Sequence, residues 1–318
     1  MAKVLITGVF GFIGSYLTKH ILTGYPEFSV VGVGRNTTQK NMARLEGFTK
    51  NPKLNLVYLD FSKDDLSGVF QDVEYVFHCG ALTFVDRSIS NPLPFIQSNI
   101  IGTCNMLEEA RKSRTLKRYF QVSTDEVYGQ ILSGSYKEDA PTNPRNPYAF
   151  TKSSADEAVK SYHNTYGLPT IITRTENNYG PYQGAEKAIP TFVRKALLDE
   201  PLPVYGDGKH RRMWLHVRDH CRALVHLIDH GEVGEIYHVA GEQELENIEL
   251  ARRILKILKK PEDMIRLVPD HNIRPGHDRR YALNVEKLKA TGWAPSTSLD
   301  EGLRETVLWY EHNEWWLE

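Results

Sequence analysis

Residues Lys3–Gly14 read KVLITGVFGFIG. The apolar run Val4-Leu5-Ile6 has strand character and stops at Gly8, and glycine returns at Gly11 and Gly14, the spacing GxxGxxG. The following segment, IGSYLTKHIL, has helical character. Glycines between a strand and a helix let the backbone approach a pyrophosphate, whose charge meets the helix N-terminus. The glycine spacing alone is a weak signal. Its position makes Gly8, Phe10, Gly11, Phe12, Ile13 and Gly14 a candidate dinucleotide loop.

Outward from this unit, short β-rich runs alternate with amphipathic stretches: FSVVGVG, LNLVYLD, VEYVFHCG, KRYFQVST and PTIITRT. That alternation predicts βαβ units and an α/β fold, a doubly wound parallel sheet with helices on both faces. After Arg174 the texture changes to loop-rich ENNYGPYQGAEKAIP, a helical TFVRKALLDE and a turn-rich PLPVYGDGKHRRMW. A further strand, EIYHVAG, precedes the amphipathic NIELARRILKILKK. The organisation expected is a dinucleotide-binding domain, 1–173 with about 212–240, and a smaller, interleaved C-terminal substrate domain, 174–211 and 241–318.

Composition narrows the partners. The 318 residues carry 40 acidic and 39 basic side chains, so no global field draws the chain to nucleic acid or an anionic membrane. An anionic ligand has to be held by local arginines. Cys79, Cys104 and Cys221 are too few and too scattered for a disulfide framework or a zinc site, and none of the twelve histidines shows HExxH spacing, so no metal is expected. The first strand starts at once, leaving no room for a secretory signal, and no apolar run approaches membrane-spanning length. A reducing cytoplasm is the expected location.

At the end of the second strand, where an acid would bind an adenosine ribose, stand Gly34, Arg35 and Asn36. The missing carboxylate removes the simplest argument for NAD and admits NADP. Arg35 is a cofactor candidate that could equally lie along the adenine face or in solvent. Asp60, at the end of the third strand, is a candidate adenine-ring acceptor.

The chemistry-bearing residues lie at the end of the fifth strand and beyond. VSTDEVYG, residues 122–129, places Thr124 before two adjacent acids, Asp125 and Glu126. Downstream, Tyr148 and Lys152 form YxxxK, and on a helix positions i and i+4 share a face. Positive charge from Lys152 and an oxidised nicotinamide is expected to lower the tyrosine pKa from about 10.

GxxGxxG, a strand ending in Thr124, and YxxxK together resemble the extended short-chain dehydrogenase/reductase family, which implies a Rossmann-like fold. The Thr124-Asp125-Glu126 triplet, with ENNYGPYQGAEKAIP, RRMWLHVRDHCRAL and RPGHDRRYALNVEKLKATGW, is similar to the nucleotide-sugar 4,6-dehydratases over essentially the whole chain. The resemblance implies a sugar-nucleotide substrate, dTDP-glucose or a UDP-hexose, and a bound NAD. It implies that Tyr148 takes the C4 hydroxyl proton as hydride leaves C4, that Glu126 takes the C5 proton, and that Asp125 protonates the departing C6 hydroxyl. Returning hydride to C6 gives a 4-keto-6-deoxy sugar. Two adjacent acids suit opposite duties, because nearby like charges push carboxyl pKa values apart.

Phe61, Ala81 and Asn99 join the implied cofactor set with Tyr148 and Lys152, Asn99 having helix capping as its alternative. The implied substrate set is Thr83, Asp86, Thr124, Asn177, Lys187, Arg212, Gln243, Arg274 and His277, with Arg212 and Arg274 on the pyrophosphate. Phe84, Glu176 and Gln243 depart from the family pattern, where polar, serine and asparagine side chains are usual. The resemblance also implies a homodimer through helices around 96–112 and 148–166. A 4-epimerase or UDP-glucuronate decarboxylase of the same superfamily, and a non-catalytic dinucleotide sensor, are the alternatives.

Overall fold

The computed structural model describes residues 1–35, 38–269 and 278–318. The chain opens with β1 (Ala2–Thr7), α1 (Phe12–Gly24), β2 (Phe28–Gly34), a short α2 (Gln39–Ala43), β3 (Leu54–Tyr58) and β4 (Val73–His78). There follow α3 (Val85–Ser90) and α4 (Leu93–Phe95), which runs through a π-helical stretch, Ile96–Ile101, into α5 (Gly102–Lys112). Next come β5 (Arg118–Thr124), a 3₁₀ turn (Asp125–Tyr128), α6 (Pro147–Tyr166), β6 (Thr170–Thr175) and β7 (Asn177–Tyr179). The remainder is α7 (Ala188–Leu197), β8 (Leu202–Tyr205), β9 (Arg211–His216), α8 (Val217–His230), β10 (Ile236–Val239), β11 (Glu244–Glu246), α9 (Asn247–Ile257), β12 (Ile265–Val268), α10 (Glu286–Ala290) and α11 (Leu299–His312).

Seven strands form one parallel sheet in the order β10-β6-β5-β4-β1-β2-β3. The alternation along β1 shows how residues build it. Val4 and Ile6 face the core shared with Leu17 and Ile21 of α1 and Leu224 and Leu227 of α8. Leu5 faces the opposite core, with Met106 and Leu107 of α5 and Val159 of α6. Both faces are covered, which is why the strands read as nearly continuous apolar runs. Chain order reverses between β1 and β4, and in such sheets ligands bind at the carboxyl ends beside that reversal.

The smaller lobe has its own core from α7, α9 and α11, including Val193, Leu250, Ile254, Leu303 and Val307. It carries a three-stranded sheet, β11-β9-β7, and a two-stranded one, β12-β8. Because β9 pairs with β7 and β11, only α8 and β10 return from this part of the chain to the large sheet. Among the described residues no helix is long and apolar enough to cross a membrane.

Candidate active site

The glycine loop is built by close approach. Gly8 has φ +67°, and a Cβ there would lie 2.9 Å from the Gly80 Cα. A Cβ on Gly14 would lie 2.3 Å from the Gly8 carbonyl oxygen. Any side chain would push β1, α1 and the β4 exit apart. Gly11 precedes α1 with no capping side chain, and the first turn carries no acid, so its amides and positive dipole end face the ligand side. From here a cavity of about 460 Å³ runs past Cys79, Gly80 and Ala81 to Thr124, Asp125, Glu126, Tyr148 and Lys152. Gly8, Gly11, Phe12, Ile13 and Gly14 line its near end. The glycine cradle and the uncapped helix fit a dinucleotide pyrophosphate.

The other cofactor candidates stand back from this cavity. Phe10 is buried, stacked on Tyr58 with ring centroids 5.3 Å apart, and its ring would lie 2.7 Å from a Cβ at Gly34. An acid at position 34 therefore has no room beside Phe10. Arg35 is exposed, and its charge acts on Asp60, whose carboxylate accepts the Ser62 amide and hydroxyl. Burial raises the Asp60 pKa, but the Ser62 bonds and Arg35 outweigh it and leave it lowered. Phe61 packs edge-on against His78, 5.0 Å away, and fills the space above Gly80 and Gly102. Asn99 is neither a helix cap nor a cavity-lining group: it accepts the Leu82 amide at 2.8 Å and donates to the Leu82 carbonyl and the Thr151 hydroxyl, both at 3.0 Å. Its side chain is committed to holding the loop that presents Ala81 and Thr83.

The catalytic candidates come together on two elements. Thr124 ends β5, donates to Asp125 Oδ1 at 3.0 Å, accepts the Glu126 amide and hydrogen-bonds Tyr148. Asn146 and Pro147 start α6; the Asn146 side chain caps it through the Ala149 amide at 2.8 Å and donates to Glu126 Oε2 at 3.0 Å. The sequence motif Asn-Pro marks the cap, but nothing local reveals its hold on Glu126. Ser88 accepts the Tyr148 amide at 3.1 Å, joining α3 to α6. Lys152 Nζ donates to the Val122 carbonyl at 2.7 Å.

Two pKa shifts give the site its character. Burial, then the charge of Glu126, pushes Asp125 up to about 7, against the opposing Thr124 bond and Arg212. Asp125 Oδ2 has no hydrogen-bond partner among the described residues. Tyr148 moves opposite to the expectation from sequence: burial and the charges of Glu126 and Asp125 raise its phenol, while Lys152 gives its proton to a carbonyl and is itself lowered by burial. In the protein alone, desolvation and the neighbouring acids set the direction.

At the far end the cavity is lined by Thr83, Asn177 and Lys187, with Lys187 Nζ on the Thr83 carbonyl. Arg212 lies outside the lining, its guanidinium donating to the carbonyls of Arg211 and Asp278 at 2.8 Å and resting 4.3 Å from the Tyr281 ring centroid. Its position is that of a brace between β9 and the segment after 277, although its charge still reaches Asp125. Asp86 and the exposed Gln243 also lie outside the lining, and Arg274 and His277 fall outside the described residues. Sequence reasoning missed Arg44. It lines the cavity while donating to the Phe10 and Tyr182 carbonyls at 2.9 and 3.0 Å, contacts without a local sequence signal.

The profile of the GDP-mannose 4,6 dehydratase family matches residues 5–306. The chain belongs to that family. Within reach of this family assignment, the low-salt glycan biosynthesis protein Agl12 of Haloferax volcanii is 41% identical over 308 residues, covering 96% of this chain and 98% of that protein. The dTDP-glucose 4,6-dehydratase of Neisseria meningitidis serogroup B is 41% identical over 342 residues, covering 99% and 95%. The crystal structure of dTDP-glucose 4,6-dehydratase from Bacillus anthracis in complex with NAD superposes with a TM-score of 0.90 at 37% identity, covering 99% of this chain and 98% of that one.

Proposed function

We propose that the chain is an NAD-dependent hydro-lyase, a nucleotide-sugar 4,6-dehydratase acting on dTDP-glucose or a UDP-hexose. The observation that carries this reading is the acid pair: Asp125, buried and pushed up far enough to hold a proton in part at neutral pH, beside Glu126, in one cavity with Thr124, Tyr148 and Lys152. Relatives with the same name and a neighbour crystallised with NAD support it. NAD, when bound, supplies the hydride acceptor for C4 and the donor for C6, and its oxidised ring adds the positive charge that lowers Tyr148.

In this reading Tyr148, bonded to Thr124, takes the C4 hydroxyl proton, and Lys152 orients it from the next helical turn. The C4 ketone acidifies C5–H. Glu126, held by Asn146, removes that proton; the C5–H electron pair forms C5=C6, and the C6–O bond breaks as Asp125 gives its proton to the oxygen, which leaves as water. An epimerase or a decarboxylase shares Thr124, Tyr148 and Lys152 but eliminates nothing from C6. Of the proposed substrate set, Thr83, Asn177 and Lys187 line the cavity, whereas Arg212 and Arg274 on the pyrophosphate, with Asp86, Gln243 and His277, are proposed from the family resemblance alone. The nucleotide half is proposed as 1–173 with about 212–240, β9 at that boundary pairing with the substrate side.

Purified protein incubated with a panel of sugar nucleotides should yield a keto product lighter by one water without added reductant, with solvent deuterium at C5. Accumulation of 4-epimers with no water loss would overturn the reading. Mass spectrometry of cofactor released on denaturation decides between NAD and NADP at the Gly34-Arg35 site. The exposed Ile101, Phe150 and Tyr166 on the π-helical stretch and α6 support a homodimer through this helix pair. Light scattering of Phe150→Asp, expected monomeric, tests it.

A further inference from the structure

In the proposed elimination Glu126 has to meet a C–H, which offers no hydrogen bond to draw a carboxylate in, so the protein must hold the base in place. The hold comes from the loop before α6. Glu126 Oε2 accepts the Asn146 side-chain amide at 3.0 Å, while Asn146 Oδ1 accepts the Ala149 amide at 2.8 Å. Because the oxygen end caps the helix, the NH2 end is committed to Glu126. The loop lies along the catalytic turn: the Asn143 amide donates to the Val127 carbonyl at 2.9 Å, and the Gly129 amide donates to the Glu126 carbonyl at 3.1 Å. Gly129, at φ +72°, leaves room for the Arg145 stem, which would lie 3.4 Å from a Cβ there.

Arg145 ties this loop to a distant part of the chain. Its Nη1 donates to Asp278 Oδ1 at 2.7 Å, and Asp278 Oδ2 accepts the Tyr281 hydroxyl at 2.7 Å. Asp278 is 1% exposed. A carboxylate so buried needs a cation, and the nearby Arg212 guanidinium donates to the Asp278 backbone carbonyl instead. The place of Asp278 is set from the small lobe. Arg280 bridges to Arg211 at the start of β9, and the Leu283 amide donates at 2.8 Å to Glu176. Glu176 lines the cavity at the β6–β7 corner and takes the Met213 amide of β9 on its other oxygen at 3.0 Å. The redox groups have separate supports: Thr124 is paired to Thr175 of β6, the Tyr148 amide donates to Ser88, and Lys152 donates to the Val122 carbonyl.

We propose that Arg145, through its ion pair with Asp278, is a positioning residue for Glu126: it holds the Asn146 amide on the carboxylate that takes the C5 proton, and it has no part in hydride transfer at C4. Arg145 touches no reacting atom. The inference rests on the dehydratase reading. In the step it serves, the C5 proton passes to Glu126, the C5–H electron pair forms C5=C6, and the C6–O bond breaks as the Asp125 proton completes a water molecule. The small lobe thereby takes part in aligning the base, while the oxidation machinery is aligned by the large sheet and α6.

The test separates the two steps in the full-length protein loaded with NAD and mixed rapidly with dTDP-glucose or a UDP-hexose in deuterated water. Absorbance of reduced nicotinamide reads C4 oxidation, and deuterium at C5 with water release reads elimination. In Arg145→Gln, C5 exchange and water release should fall about a hundredfold while hydride transfer stays within a few-fold, so that reduced cofactor accumulates. Arg145→Lys, which keeps the ion pair, should recover most of the loss. Should Arg145→Gln fail to fold with Asp278 unpaired, the double variant with Asp278→Asn removes the buried charge and should show the same split. Hydride transfer and C5 exchange falling together would mean a structural role only and overturn the proposal, as would an unchanged C5 exchange. If the wild type releases no water from any sugar nucleotide, the reaction assignment fails instead. Amide hydrogen exchange then still decides the tether without substrate: Arg145→Gln should speed exchange over residues 125–129 and 143–149, and unchanged exchange there would overturn it.

Discussion

Asp125 shows at the scale of one side chain how function costs stability. A carboxyl raised from 3.8 to about 7 is destabilising when ionised: the burden is absent below the unfolded value, grows as pH rises between the two, and is complete above the folded one. Asp125→Asn should therefore abolish water release and raise the melting temperature more at pH 8 than at pH 5, where only the first part of the burden has accrued. Calorimetry at the two pH values checks it, and an equal shift at both would show that packing rather than charge is responsible. The position of Asp125 beside Glu126 and after Thr124 was legible in VSTDEVYG, because adjacency in sequence places all three on one turn. Glu176 and Arg44 were not legible as site residues, since their partners Leu283, Met213, Phe10 and Tyr182 lie 34 to 138 residues away.

At the scale of elements, α6 is fixed to the sheet by a buried ion pair. Asp156 Oδ2 meets Arg174 Nε at 3.0 Å and accepts the Ser123 hydroxyl at 2.9 Å, and the same arginine donates to the Tyr128 hydroxyl at 2.6 Å. That hydroxyl is 2.7 Å from His238 Nε2, so β5, β6, β10 and α6 share one polar network. Asp156→Ala leaves Arg174, 1% exposed, without its counter-charge, and should cost about 3–5 kcal/mol of unfolding free energy in denaturant titration. Lys152, one turn earlier on α6, should lose alignment too, so activity should fall even where the protein remains folded. Helices α1, α7 and α9 and the seven large-sheet strands could be read from periodicity and β-rich runs. The short strands β7, β11 and β12, of three or four residues, are too short to generate a period.

Across the molecule, buried neutral histidines set the response to acid. Burial holds His78, His220 and His238 near 3 and His216 near 4. A lowered histidine pKa favours the fold above the unfolded value of 6.5, and that stability is lost as pH falls from there toward the folded value. Melting temperature should accordingly drop between pH 7 and pH 5, more than the raised Asp125 and Glu176 offset. His220 is the clean probe, because neither ring nitrogen has a partner among the described residues. His220→Leu should be more stable than the wild type by a margin that widens as pH falls below 6.5, and a margin independent of pH would refute the account.

The Phe10–Gly34 contact makes two positions mutually exclusive, and so it constrains the order in which this binding loop can change. With the Phe10 ring 2.7 Å from where a Cβ at 34 would stand, and braced by Tyr58, a chain with an acid at 34 has to give it up before an aromatic can take this place at position 10. The reverse path is closed in the same way: Gly34→Asp alone meets the ring, and only after Phe10→Ala does an acid become accessible to selection. A single-step screen of position 34 would thus find only failures, whereas the double variant opens a route between two ways of holding a nucleoside.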